Sequence, residues 1–182
     1  MATTLLPFRD YDEHDVLNLF GLQSSATLPV TKGHMVKITT GWKNTDEISL
    51  LGDAGNNFTN TVSERYGVVA RVGLTDADDT DVLGMLLHDV KETDENGEKL
   101  LFNPRKAAEM EIALSGQAVP VLTRGIVLYS GTQLTTDAPA AGAVLYSDAN
   151  GELTTSSGGG DVVGVALGAK DDNNHVLVRI NL

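Results

Sequence analysis

The amino-acid sequence predicts a mainly β protein, a small β-sandwich or barrel built from two similar halves and preceded by an N-terminal arm or short helix. Three observations predict it. Gly, Thr, Asn and Asp break the chain about every eight to twelve positions. The stretches between them alternate apolar and polar residues with a period near two. Several blocks also recur in the same order along the chain. At 182 residues, 41% hydrophobic, the chain is long enough to bury roughly 70% of its unfolded surface and to support one sizeable core.

Residues 1–27 read as an arm distinct from the β domain. Acidic residues at Asp10, Asp12 and Glu13 suit a helix start and Gly21 a stop, so one short helix is expected there. Phe8, Tyr11, Val16, Leu17, Leu19, Phe20 and Leu22 are too many apolar residues for one face of a two-turn helix. Left in water they would form a patch, so they are the candidate interface residues. The plainer reading is a first element lying on its own domain.

The β domain is expected over 28–182. Its strand candidates run from Met35 to Thr39, Tyr66 to Val72, Val82 to Val90, Glu109 to Leu114, Ala118 to Leu122, Ile126 to Tyr129, Ala143 to Tyr146, Val162 to Leu167 and Val176 to Leu182. The last is the clearest: Val176, Val178, Ile180 and Leu182 share one face, Arg179 and Asn181 the other. Lys106 to Leu114 also scores as a short helix. Asn96-Gly97 and Asn150-Gly151 read as type I′ turns, in which both central residues need positive φ. Lys91 to Arg105 reads as an exposed insertion.

The recurring blocks divide the domain into halves 28–115 and 118–182. Pro29-Val30-Thr31-Lys32-Gly33 aligns with Pro120-Val121-Leu122-Thr123-Arg124-Gly125, and Leu50 to Thr59 with Leu145 to Thr154. Asp81 to Leu87 aligns with Asp161 to Leu167, sharing Gly84 with Gly164. Met110 to Leu114 aligns with Val178 to Leu182. Two such units joined together would cover each other's sheet.

Thirteen Lys and Arg against 25 Asp and Glu give a net charge of −12, which repels phosphate backbones and anionic lipid. No nucleic-acid or membrane partner is expected. The absence of cysteine excludes disulfides, thiolate nucleophiles and Cys-based metal or cluster sites. Met1 to Phe8 has neither the basic nor the apolar region of a signal peptide, so synthesis in the cytoplasm is expected. His14, His34, His88 and His175 lie outside ligand spacing of one another. Asp76, Asp78 and Thr80 imitate the first calcium-loop ligands, but Asp81 stands where Gly is needed and Leu87 where Glu is needed. With no nucleophile elbow or phosphate-cradling loop, no enzyme activity, cofactor or metal is expected.

The order of Lys32-Gly33 or Arg124-Gly125, then Val82-Leu83-Gly84-Met85 or Val162-Val163-Gly164-Val165, then a closing apolar strand, resembles the small capsid decoration, or cement, proteins of tailed bacteriophages. The resemblance covers Leu28 to Leu182; the N-terminal segment and Lys91 to Arg105 depart from it. It implies a virion structural protein on the outside of the phage head, a homo-oligomer, expected as a trimer, that binds the major capsid protein and stabilises contacts between its subunits. The alternative is a β-sandwich adhesin or carbohydrate-binding module of a phage fibre, for which Trp42 and four Tyr offer few stacking platforms. A small hydrolase would need a convergent polar pocket.

Overall fold

The computed structural model describes residues 4–7, 17–23, 26–40, 70–77, 79–115, 117–132, 134 and 138–182, with backbone alone for 4–7 and 17–19. Thirteen strands run through them: β1 (Thr4–Pro7), β2 (Leu17–Leu22), β3 (Met35–Thr40), β4 (Arg71–Leu74), β5 (Val82–Leu86), β6 (Asp89–Val90), β7 (Ile112–Ala113), β8 (Ala118–Leu122), β9 (Arg124–Ser130), β10 (Val144–Ser147), β11 (Leu153–Thr154), β12 (Val162–Ala166) and β13 (Val176–Asn181). An α-helix, α1, covers Pro104–Glu109. The fold is mainly β, as the period-two pattern requires.

Five strands close a barrel in the order β2-β4-β3-β5-β8, and six form a sheet in the order β1-β9-β13-β12-β10-β11. The period of two divides the barrel strands between two cores. Val36, Leu86 and Val121 point into the barrel with Val72 and Val119. Their neighbours Met35, Met85 and Leu122 point out, and pack with Val127, Tyr129, Leu145, Val163, Val178 and Ile180 of the six-stranded sheet. The outer wall of the barrel is thus the floor of a second core roofed by the sheet. Burying Met35, Met85 and Leu122 there contributes about 1.5 to 3 kcal/mol each before ordering costs.

The barrel and the sheet share one strand plan. In both, the first strand pairs with the last, the last with the fourth, the fourth with the second and the second with the third, all antiparallel: β2-β8-β5-β3-β4 in the barrel and β9-β13-β12-β10-β11 in the sheet. The registers agree residue by residue. Val36 opposes Gly84 and Lys37 opposes Val82 across a bulge; Leu145 opposes Gly164 and Tyr146 opposes Val162 across a bulge at the same place. A Cβ on Gly84 would lie 2.5 Å from the Leu122 carbonyl oxygen, and one on Gly164 would lie 2.2 Å from that of Arg179. Leu122 and Arg179 are themselves counterparts, since they oppose Met85 and Val165. Only glycine permits this approach of backbone to backbone.

The structure corrects the block alignment elsewhere. Gly33 corresponds to Gly142, not to Gly125: their φ angles are 91° and 86°, and their N–H groups donate to the carbonyls of Leu86 and Ala166, both at 2.7 Å. The counterpart of β13 is β8, not Met110 to Leu114. Residues 50–59 lie outside the described residues. The like parts therefore span 17–122 and 126–182, rather than 28–115 and 118–182.

The arm is corrected too. Leu17–Leu22 is not helical but is a barrel strand between β8 and β4, and Thr4–Pro7 pairs with β9 at the sheet edge. Leucine and phenylalanine suit either state locally, and the free edges of β8 and β9 decide for strand. At Asn150 and Gly151 both φ values are positive, 61° and 76°, but the turn closes through the Gly151 N–H on the Asp148 carbonyl at 3.2 Å in a 3₁₀ turn over Ala149–Gly151, so it is not a two-residue type I′ turn. At Asn96-Gly97 only Gly97 is positive, at 82°, so that turn is not type I′.

Candidate interaction surfaces

Comparing the two like units locates an uncovered wall. Met35, Met85 and Leu122 on the outer face of the barrel are fully buried beneath the sheet. Their register counterparts on the sheet are Val144, Val165 and Arg179. These face away from the shared core: Val144 is 40% exposed, Val165 half-buried and Arg179 exposed. Val162, 54% exposed, extends the same wall beside Tyr146. The sheet's outer face thus carries apolar residues around the guanidiniums of Arg179 and Arg124, with nothing of the described chain on it to match the roof the barrel wall has.

The second surface is the connection from β5 to β8. In the sheet unit the matching connection, 168–174, is a tight polar hairpin in which the Asp171 carboxylate accepts from the N–H groups of Asn173 and His175, at 2.9 and 2.7 Å. In the barrel unit it spans 88–117 and is a folded module, not a loose insertion. Leu100, Ala107, Ile112 and Leu114 form its own small core, and β6 and β7 pair in parallel at its base. Asn103 caps α1, its side-chain oxygen accepting from the Lys106 N–H at 3.3 Å, and Pro104 fills the first helical position, where no N–H is needed.

Asp94 ties the module together. Its side chain is 1% exposed and ion-paired with Lys106, and it accepts from the N–H groups of Asn96 and Glu98, both at 2.8 Å. The Lys106 ammonium, with those two N–H groups, holds its carboxyl below the usual carboxylate range. Lys32 fastens the module to the barrel: its ammonium donates to Glu111 at 2.8 Å and its backbone N–H to Asp89 at 2.8 Å. Glu111 takes a φ of 54° to reach it. The module presents Leu101 and Phe102, 50% and 80% exposed, from a turn of 3₁₀-helix over Leu100–Phe102.

Of the interface residues expected from sequence, Leu22 is 6% exposed in the barrel core and Phe20 packs against that core, so these two serve the chain's own fold. Leu17 and Leu19 belong to β2; Phe8, Tyr11 and Val16 lie outside the described residues. Leu101 and Phe102 went unmarked because they sit inside a charged run, and the signal for them was the apolar triplet Leu100-Leu101-Phe102 itself.

Several of the polar groups singled out in the sequence are engaged structurally. Asp79 pairs with Lys37 at 2.6 Å and accepts from the Asp76 N–H at 2.5 Å, which makes the acidic stretch an ion-paired turn. The His34 ring meets the Thr31 carbonyl at 2.6 Å, and burial holds the His88 imidazole below its ordinary range. A cleft of about 470 Å³ lies between Leu28-Pro29 and the stretch from Lys91 to Glu95. Its lining offers carboxylates but neither a histidine nor a paired nucleophile.

The β framework thus presents an uncovered sheet wall and an exposed apolar turn, two surfaces suited to contact with another macromolecule. The phage cement protein family model matches residues 107–182, under half of the chain, from within α1 through the whole of the second unit. The match supports a phage capsid cement protein, a class that is structural and not catalytic, with its place in the virion capsid and its binding directed to the capsid. No curated protein matches the chain.

Proposed function

We propose that the protein decorates the outside of the phage head as a homo-oligomer, a trimer, and stabilises contacts between neighbouring major capsid subunits. The observation that carries this reading is the uncovered wall of Val144, Val162 and Val165 around Arg179, inside the segment that matches the cement family. Its counterpart in the barrel is covered by a β surface, and a second copy of the chain is the occupant that fits here. Twenty-five carboxylates per chain supply partners for Arg179, while the net charge of −12 opposes association anywhere that wall or a similar pairing is missing. A heterologous contact of this wall with a different surface of the next copy, repeated with a three-fold rotation, closes into the proposed trimer. Phe8, Tyr11 and Val16 remain a proposed tether, on the sequence alone.

Light scattering on the purified chain, with and without Val144→Glu, tests the oligomer; incubation with heads lacking the protein, followed by sedimentation, tests the decoration. The wild-type chain should be trimeric and should co-sediment, and Val144→Glu should be monomeric with an unchanged melting temperature. A wild-type monomer that still decorates heads would remove the oligomer; wild-type protein left in the supernatant at saturating concentration would remove the reading itself.

A further inference from the structure

We propose that Phe102, with Leu101 beside it, is the capsid-anchoring knob of this protein, inserted into an apolar pocket on the outer surface of the capsid shell. The proposal rests on the reading above that the protein decorates heads. Phe102 is 80% exposed and Leu101 50%, and the chain pays for a folded module that holds them there. Leu100 is buried beneath the turn. The Phe102 N–H donates to the Lys99 carbonyl at 3.2 Å and the Asn103 N–H to the Leu100 carbonyl at 2.9 Å. The Asp94–Lys106 ion pair joins the hairpin before the turn to the helix after it. A backbone held this way loses little conformational freedom on docking, which leaves only the side-chain rotamers to be ordered.

The like unit shows that the connection does not need this module. Its 168–174 hairpin joins equivalent strands with a polar tip closed on Asp171. The extra residues at 88–117 build a small core whose exposed apolar product is this pair.

Area selects the occupant. Phe102 and Leu101 together offer about 250 Å², whereas a stable dimer buries about 800 Å² on each partner. The knob is therefore too small to join two copies of the chain in solution. It suits a weak site used many times over, as when an oligomer meets a shell that repeats its pocket and each added contact becomes intramolecular. Exposed Lys99 and Arg105 flank the pair as Glu95 and Glu98 precede it, so the pocket is selected by its apolar floor more than by the charge of its rim.

The test compares wild-type protein, Phe102→Ser, Phe102→Leu and Leu101→Ser for binding to purified heads that lack the protein, with melting temperature and light scattering measured on each. Phe102→Ser should weaken head binding roughly tenfold to a hundredfold, and Leu101→Ser less. Phe102→Leu should recover most of the affinity. Melting temperature and oligomeric state should stay at the wild-type values. Phe102→Ser binding heads as tightly as wild type would overturn the knob while leaving the decoration reading intact. A changed oligomeric state in Phe102→Ser would overturn it by placing the pair in a subunit contact. Failure of the wild-type chain to bind heads would overturn both.

Discussion

Replacing Gly164 by alanine tests the central structural relation between the two units. The new Cβ would sit 2.2 Å from the Arg179 carbonyl oxygen, 3.1 Å from its carbon and 3.3 Å from the Ile180 Cα. All three are backbone atoms of the neighbouring strand, so no side chain can rotate away. Relief to an ordinary contact needs β12 and β13 to part by about 1 Å, which takes the flanking ladder hydrogen bonds from about 2.9 Å to beyond useful length. One or two weakened bonds at about 1 kcal/mol each, plus overpacking strain of about 1 to 3 kcal/mol, put the cost near 2 to 4 kcal/mol. For a chain of this size that is a fall in Tm of roughly 5 to 15 °C. Gly84→Ala meets the Leu122 oxygen at 2.5 Å and Val121 Cγ1 at 2.7 Å and should behave alike. Gly97→Ala is the control: its φ is 82° but nothing lies within 4 Å, so it carries only the left-handed penalty of about 1 to 2 kcal/mol. Differential scanning calorimetry of the three variants should rank Gly97→Ala well above the other two. Gly164→Ala melting within 2 °C of wild type would refute the claim that the paired glycines are demanded by strand approach.

The remaining expectations are briefer. Asp94 has a carboxyl held below the ordinary 3.8, so its stabilisation of the 88–117 module is present above that value and is lost as pH falls through the lower folded one; NMR titration of the Asn96 and Glu98 amides should show a midpoint below 3.8, and one at or above it would contradict the contact. Tyr129 is buried, hydrogen-bonded to the backbone of Leu153 and held well above the ordinary phenol range, so it should stay unionised in alkali until the chain unfolds, and ultraviolet titration of the four tyrosines should show one ionising only with the loss of circular dichroism. Deleting residues 1–24 removes β2 and opens the barrel, and should abolish cooperative unfolding; deleting residues 1–7 removes only edge strand β1 and should leave a cooperative transition. If the longer deletion melts like the full chain, β2 is not a structural strand of the barrel.

The sequence was most legible where a local pattern coincides with a long-range demand. Val176, Val178 and Ile180 alternate with Leu177, Arg179 and Asn181, and β13 lies in the middle of its sheet with the first set inward. Gly84 and Gly164 were alignable because each stands in a short Val-Gly string and each is required by the same backbone approach. Gly33 was matched to Gly125 through a shared basic residue and a following valine, neither of which sets strand register. Its true counterpart Gly142 follows two alanines and shares only backbone conformation and a hydrogen bond, which leave little trace in side-chain identity. Leu17–Leu22 passed for helix because its alternation, Phe20 and Leu22 inward, is short and starts beside an acidic stretch; the neighbouring strand edges that claim it are far away in sequence. The module at 88–117 was hidden by its charges, since Asp94 and Lys106 read as solvated residues until folding brings them together. The outer wall at Val144 and Val165 was legible as strand, but its lack of a cover emerges only against the buried Met35 and Met85.

The most direct test of the account is electron microscopy of phage heads purified without this protein and then incubated with it. The account expects added density on the outer surface at regular lattice positions, each copy resolving a five-stranded barrel and a six-stranded sheet, with the 88–117 module against the shell. Heads that remain bare at saturating protein, or density confined to a fibre or to the interior of the shell, would contradict it.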